Sequence, residues 1–251
     1  MDLRLDDKVV LVTGSSRGIG LAIARMLHAE GCHVVLNSRN PEELDRVVTD
    51  LSGAVGYVAD VSVPAEAQCL VDQALKLYDR IDGVVCNVGS GRSVPPGSEN
   101  FDEWQRVFSE NLWSTTNIVE AAVESLTKHK GSIVCTSSIC GVEVIPEAPV
   151  TYSAAKAALH AYVRGVSRPL GKRGVRINAV ASGNILFKGS VWEERLEVRS
   201  EVVSEILSRD VALGKLGVPE DVAKLTLFLL SPVSGFATGS VWALDGGQIR
   251  S

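Results

Sequence analysis

Tyr152 and Lys156 stand four residues apart in an alanine-rich run of helix formers that Pro149 opens and that continues through Leu159 and Val163. At that spacing both side chains lie on one helix face, about 5 to 6 Å apart at Cβ. A phenol with a reference pKa of about 10 is a poor proton carrier at neutral pH. An ammonium some 4 Å away, at an effective dielectric near 20, would favour phenolate by up to roughly 4 kcal/mol. The pair thus reads as a tunable proton exchanger, worth about a hundredfold to ten-thousandfold in rate. Tyr-x-x-x-Lys alone is a common chance match. Its weight comes from Ser138, just past the strand-like run Ser132-Ile133-Val134-Cys135-Thr136, and from a second constellation near the N-terminus.

That constellation is Val9-Val10-Leu11-Val12-Thr13-Gly14-Ser15-Ser16-Arg17-Gly18-Ile19-Gly20, followed by the helix-forming run Leu21 to Leu27. Four β-branched or aliphatic residues suit a strand buried on both faces, and the glycines fall between it and a helix N-terminus. Unpaired N–H groups and the positive end of the helix dipole favour an anion there, and glycine admits a pyrophosphate that a Cβ would exclude. A glycine triplet counts only in this strand-to-helix context, which is present.

The rest of the chain repeats the alternation. Strands are predicted at Cys32–Asn37, Gly56–Ala59, Asp82–Asn87, Ser132–Thr136, Val175–Val180 and Ser240–Leu244. Helices are predicted from Pro41 after the Asn40 cap, over Pro64–Tyr78, from the Asn100 cap to His129, from Pro149, and over Pro219–Leu230. Seven strands joined by helices require right-handed crossovers, hence an α/β fold with a doubly wound, seven-stranded parallel sheet of Rossmann type. Residues 184–217 break the rhythm as a charged helical flap carrying Trp192, Glu193, Glu194, Arg195 and Glu205, either a solvated surface helix or a lid over substrate. Pro169, about four turns into the helix of Tyr152, is expected to end or kink it.

Composition narrows the function. With 251 residues and 45% hydrophobic side chains, one domain over residues 1–251 is expected. A net charge of −5 and the lack of a Lys/Arg cluster argue against nucleic acid and for a small-molecule partner. No run approaches the roughly 20 apolar residues of a membrane span, and the N-terminus lacks the apolar core of a signal peptide, so a cytoplasmic protein is expected. Cys32, Cys69, Cys86, Cys135 and Cys140 form no CxxC pair and read as buried free thiols without a metal. His28, His33, His129 and His160 have no serine or cysteine at a telling spacing and read as packing or surface residues.

Taken together, the whole chain resembles a short-chain dehydrogenase/reductase, closest in pattern to β-ketoacyl carrier-protein reductases. Thr13 to Gly20 matches the family's TGxxxGxG cofactor turn, Asp60-Val61 its adenine contact, and Asn111, Ser138, Tyr152 and Lys156 its catalytic members. The resemblance implies that Tyr152 is the general acid in reduction and the base in oxidation. Ser138 would bond the substrate oxygen, Lys156 would hold the ribose and lower the tyrosine pKa, and Asn111 would position a water. The implied cofactor contacts are Gly14, Ser16, Arg17, Gly18, Ile19, Gly20, Ser38, Arg39, Asp60, Val61, Asn87, Gly89, Tyr152, Lys156, Gly183 and Ile185. A homodimer or homotetramer is the family expectation, and the Pro169 helix helps build the family's dimer interface. The sequence departs from the family at Cys86-Asn87-Val88-Gly89, where it has Asn-Asn-Ala-Gly, at Ser182-Gly183 for Pro-Gly, and at Phe187 in place of a threonine that meets the nicotinamide.

NAD sites place an acid at the end of the second strand, which would repel a 2′-phosphate. Ser38-Arg39 stands there instead, and with Arg17 offers two guanidinium groups, so NADP is expected over NAD. The expected activity is ketone and secondary-alcohol interconversion by hydride transfer, chemistry that belongs to the cofactor. Arg92 and Lys188 are basic candidates for a carrier-protein contact at the mouth. Gly183 to Trp192 also resembles oxidoreductases of bacterial surface-sugar biosynthesis, making a sugar-derived hydroxyl an alternative. A catalytically silent NADP-binding regulator on the same fold is a further one.

Overall fold

The computed structural model describes residues 2–250. Strands β1 (Val9–Val12), β2 (His33–Ser38), β3 (Val55–Val58), β4 (Gly83–Cys86), β5 (Ser132–Ser138), β6 (Arg176–Ser182) and β7 (Val241–Leu244) form one sheet in the order β3-β2-β1-β4-β5-β6-β7. Every pairing is parallel. Helices α1 (Gly18–Ala29), α2 (Pro41–Asp50), α3 (Pro64–Tyr78), α4 (Phe101–Phe108), α5 (Ser114–His129), α6 (Val150–Lys172), α7 (Val191–Asp210) and α8 (Pro219–Leu230) complete the chain.

The pleat of β1 explains the layering. Val9 and Leu11 enter one apolar cluster with Ile118, Leu126, Leu159 and Val163. Val10 and Val12 enter the opposite one with Ile23, Leu27, Val222 and Leu227. Successive residues point to opposite faces, so a continuously apolar strand demands helices on both sides, each buried aliphatic adding roughly 1.5 to 3 kcal/mol. Because β1 lies between β2 and β4, strand order reverses at its carboxyl end. In an open sheet that is where a ligand crevice forms.

Most expected elements are present within a few residues. Asn40 and Asn100 cap their helices as read, accepting the Glu43 N–H at 3.1 Å and the Glu103 N–H at 2.9 Å. The helix expected from Asn100 to His129 is interrupted by a π turn at Ser109–Trp113, which carries the fully buried Asn111. Pro169 does not end α6, which runs on to Lys172, because the proline falls in the last turn and forfeits only one backbone bond, to Gly165. The 184–217 flap contains α7, in which only Val203 is buried and Arg199 breaks the helix with φ −145° and ψ 51°. Cys69 is exposed on α3 and Cys140 only half-buried; the other three thiols are buried and none is paired. Cys69 lies in the helix expected over Pro64–Tyr78, but on its solvent face, so the expectation of a buried thiol fails there.

Candidate active site

The glycine turn is held in place by asparagines at the ends of β2 and β4. Gly14 and Gly18 hold φ of +60° and +54°, a conformation costly to any residue with a Cβ. Gly20 serves close approach instead: a Cβ there would collide with the Gly14 carbonyl and with Asn87 Nδ2. Asn37, buried at the end of β2, donates to the Tyr57 and Ala59 carbonyls at 3.2 and 3.1 Å, and its own carbonyl receives the Ser15 N–H at 2.9 Å. Asn87 donates to the Thr13 and Gly14 carbonyls at 3.2 and 3.1 Å while Oδ1 accepts from Thr136 Oγ1 at 3.1 Å. One asparagine therefore ties the ends of β1, β4 and β5 together. With both amide hydrogens used inside the protein, Asn87 has only an oxygen lone pair left to offer.

A cavity of about 800 Å³ runs from this turn along the strand ends, lined by Gly14, Ser16, Arg17, Ile19, Ser38, Arg39, Asp60, Val61, Asn87, Gly89, Tyr152 and Lys156 among others. Gly18, Gly20 and Asn111 do not line it; Gly18 lies under the Phe187 ring, Gly20 packs on the Gly14 carbonyl, and Asn111 packs against the lining residue Gly89. At the far end Ser38 Oγ donates to Ser16 Oγ at 3.1 Å, which donates to Glu43 Oε2 at 2.9 Å. Arg39 reaches Asp60 at 3.4 Å. Burial opposes ionisation of Asp60, but bonds from Ser62 and the Arg39 charge hold its carboxyl below the usual range.

At the near end, Lys156 is buried and donates to the Thr136 carbonyl at 3.1 Å, with its ammonium 5.7 Å from the centre of the Tyr152 ring. Asn111 Oδ1 accepts the Ser90 N–H at 3.1 Å and Nδ2 donates to the Ser90 and Val107 carbonyls. Gly89 is the meeting point: a Cβ there would lie 2.8 Å from Asn111 Oδ1 and 3.1 Å from Lys156 Nζ. Ser138 closes β5, and its Oγ accepts the Cys140 N–H at 3.2 Å.

The electrostatics correct one expectation. Burial pushes the Lys156 ammonium down to about 8. Burial, with the Cys140 thiol, pushes the Tyr152 phenol up, and only the bond from Ser138 opposes it. Desolvation thus outweighs the lysine in the protein's own framework, because removing water penalises phenolate and ammonium alike. His160, read as a packing residue, has a buried serine partner 23 positions away: Nε2 lies 2.7 Å from Ser137 Oγ and Nδ1 3.1 Å from the Gly141 carbonyl. Gly141 packs so tightly that a Cβ would sit 2.6 Å from the Lys156 backbone. The turn bearing Ser138 is thereby clamped to the helix bearing Lys156.

A second cavity of about 840 Å³ adjoins the first, lined by Ser138, Cys140, Gly183, Ile185, Trp192 and Arg195. Ile19, Tyr152, Ser182 and Phe187 border both cavities. The Phe187 ring covers Gly18, where a Cβ would come within 2.6 Å of it. Polar strand-end positions would have singled out Thr13, Asn37 and Thr136. Nothing in local spacing signals the Ser137–His160 pair. Among the described residues there is no group of three His, Cys, Asp or Glu able to hold a metal, and no helix long and apolar enough to cross a membrane.

A family model described as enoyl-(acyl carrier protein) reductase matches residues 14–248. The chain is 33% identical over 252 residues to a 3-oxoacyl-(acyl-carrier-protein) reductase of Thermotoga maritima, covering 98% of this chain and all of the relative. It is also 33% identical over 255 residues to dehydrogenase/reductase SDR family member 4 of Rattus norvegicus, covering 97% and 88%. The chain belongs to the short-chain dehydrogenase/reductase family. It is an NAD(P)-dependent oxidoreductase. A solved structure of this family, L-sorbose reductase from Gluconobacter frateurii complexed with NADPH and L-sorbose, superposes with a TM-score of 0.93 at 25% identity over the whole of both chains.

Proposed function

We propose that this dehydrogenase/reductase reduces a ketone to a secondary alcohol with NADPH, and that Tyr152 delivers the proton. The observation that carries the reading is the position of Tyr152. It is half-buried, borders both cavities, and shares its surroundings with Lys156, Ser138 and Cys140. Bound in the first cavity, the reduced nicotinamide would supply hydride. The chain's residues fit such a group: Gly14, Ser16, Arg17 and Ile19 of the glycine turn line the first cavity at the N-terminus of α1, and Lys156 spends only one of its three donors on the protein.

Each residue then has a defined task. Ser138 Oγ and the Tyr152 hydroxyl hold the substrate oxygen from two sides. Because burial keeps the phenol protonated at neutral pH, Tyr152 is loaded as an acid, which favours the reductive direction. Lys156 supplies positive charge beneath it and donors for a ribose. Asn111, through Ser90, fixes the loop that faces them. Arg39 and Arg17 at the other end favour a 2′-phosphate, and residues 184–217 cover the substrate side.

The test is NADPH oxidation followed by absorbance over a panel of ketones, with Tyr152→Phe as control. Turnover by the native chain, lost by about a hundredfold to ten-thousandfold in Y152F with NADPH binding retained, supports the reading. Unchanged turnover in Y152F, or NADPH binding without any turnover, overturns it, the latter in favour of a regulator.

A further inference from the structure

The substrate cavity holds a cation that the proposed chemistry does not use. Arg195, in the first turns of α7, is half-buried and lines the cavity beside Ser138 and Cys140. Its guanidinium carbon stands 5.0 Å from the centre of the Trp192 ring, one helical turn back. Stacking on a ring face leaves the in-plane N–H fork unused. Among the described residues Arg195 has no carboxylate or carbonyl partner. The arginines around it do: Arg92 is held by Glu194 at 2.5 Å and Arg209 by Asp210 at 2.8 Å.

The surrounding acids do not neutralise it. Glu205 and Asp210 lie two or more turns further along α7, beyond the break at Arg199, and both engage Arg209. Glu143 accepts the Arg250 N–H at 3.1 Å, and Glu147 is on the exposed outer loop. Positive charge is instead concentrated at the reacting end, where the Cys140 thiol feels both Lys156 and Arg195. A second polar group waits in the same cavity wall: the buried Nδ2 of Asn184 has no hydrogen-bond partner among the described residues. A ring-stacked, unpaired guanidinium in a cavity whose wall also holds an unsatisfied amide donor suits recognition of an oxyanion.

We infer that the ketone bears an anionic oxyacid group, such as a carboxylate or sulfonate, which Arg195 holds by its N–H fork while the carbonyl faces Ser138 and Tyr152. Resting on the reductase reading, the assignment narrows the substrate class to oxo acids rather than neutral ketones or sugars. Arg195 then fixes which end of the substrate enters, and a neutral group in that place leaves its N–H groups without the bonds they had to water.

The experiment uses 2-, 3-, 4- and 5-oxo carboxylic acids of four to six carbons, each beside its methyl ester. Reduction by NADPH is followed in the native enzyme and in Arg195→Gln and Arg195→Lys. In parallel, calorimetry measures binding of the acids to the enzyme with oxidised NADP, with which they cannot react. The expected result is at least one acid exceeding its ester in kcat/KM by on the order of tenfold to a hundredfold, chiefly through KM. R195Q should abolish that ratio, and R195K should keep part of it, having the charge without the fork. Esters equal to or better than acids throughout, or a preference that survives R195Q, overturn the inference while leaving the reductase reading intact. Acids that bind in an Arg195-dependent way without being reduced sustain the anion site and overturn the reductase reading instead. Acids that neither bind nor react overturn the anion site.

Discussion

Lys156 and Tyr152 face each other across 5.7 Å from ammonium to ring centre, with the ammonium fixed by the Thr136 carbonyl at 3.1 Å. Desolvation acts on both, but in opposite senses on the pH scale: the lysine falls to about 8 and the phenol rises. The cation is therefore the group that titrates in an accessible range, and it is present below pH 8 and lost above it. We expect kcat/KM for reduction to be level through neutrality and to fall above pH 8 by one proton. Lys156→Met should lower the plateau by ten- to a hundredfold and remove the break. A profile still level at pH 9 would show that the lysine charge is not what the reaction uses.

Cofactor choice turns on two opposed charges at the far end of the same cavity. Arg39 stands where an NAD enzyme carries an acid, yet Glu43 accepts the Ser16 hydroxyl at 2.9 Å on the cavity rim and would repel a 2′-phosphate. Arg39→Ala should lower the NADPH-to-NADH ratio of kcat/KM by about tenfold, and Glu43→Gln should raise it several-fold. Steady-state kinetics with both cofactors decides this. A native enzyme that prefers NADH, or an R39A ratio equal to the native one, would sink the assignment.

These two sites differ in how legible they were. The sheet could be read because Val9 to Val12 and its counterparts are apolar on both faces, a pattern that demands helices on each side. The glycines and the Tyr152–Lys156 spacing were legible because their geometry is local. The π turn at Asn111 was not, since the apolar positions Trp104, Val107, Phe108 and Leu112 continue a helical period across it. Nor were Asn37 and His160, whose partners are 20 to 23 residues away and become neighbours only through the pairing of β2 with β3 and the packing of α6 on β5. The direction of the Tyr152 shift was misread for a related reason. Spacing reports the nearby charge, whereas burial, the larger effect, belongs to the completed fold.

Gly20 offers a test of the anion cradle separate from any charge. Its backbone is not in the left-handed region; what forbids a side chain is the Gly14 carbonyl and the Asn87 amide pressed against it. Gly20→Ala must part α1 from the turn, since neither obstacle is a flexible chain end. We expect a loss of stability of about 1 to 3 kcal/mol by denaturant titration, and NADPH binding weakened at least tenfold by fluorescence. Native affinity in G20A would mean that the turn does not hold the pyrophosphate.

His160 is expected to make both stability and turnover respond to acid. Burial first, with the charges of Arg164 and Lys156 also contributing, lowers its imidazolium to about 4 from the usual 6.5, against an opposing bond to Gly141. Between those values the unfolded chain takes up a proton that the folded chain refuses. Stability from this residue is therefore complete above pH 6.5 and lost as pH falls towards 4, on the order of 3 kcal/mol in all. Removing the ring leaves the buried Ser137 hydroxyl without the partner 2.7 Å away, so His160→Phe should cost about 1 to 3 kcal/mol at pH 7. Carboxylates titrate in the same window, so the decisive quantity is the difference between native and H160F stability from pH 6.5 to 4, which should shrink as the native protein loses its advantage. The same clamp fixes the turn bearing Ser138, so H160F should lower kcat more than it raises KM, and His160→Gln, which can restore the bond to Ser137, should recover part of the loss. A difference constant across that pH range would show that a neutral, buried imidazole is not what holds the turn.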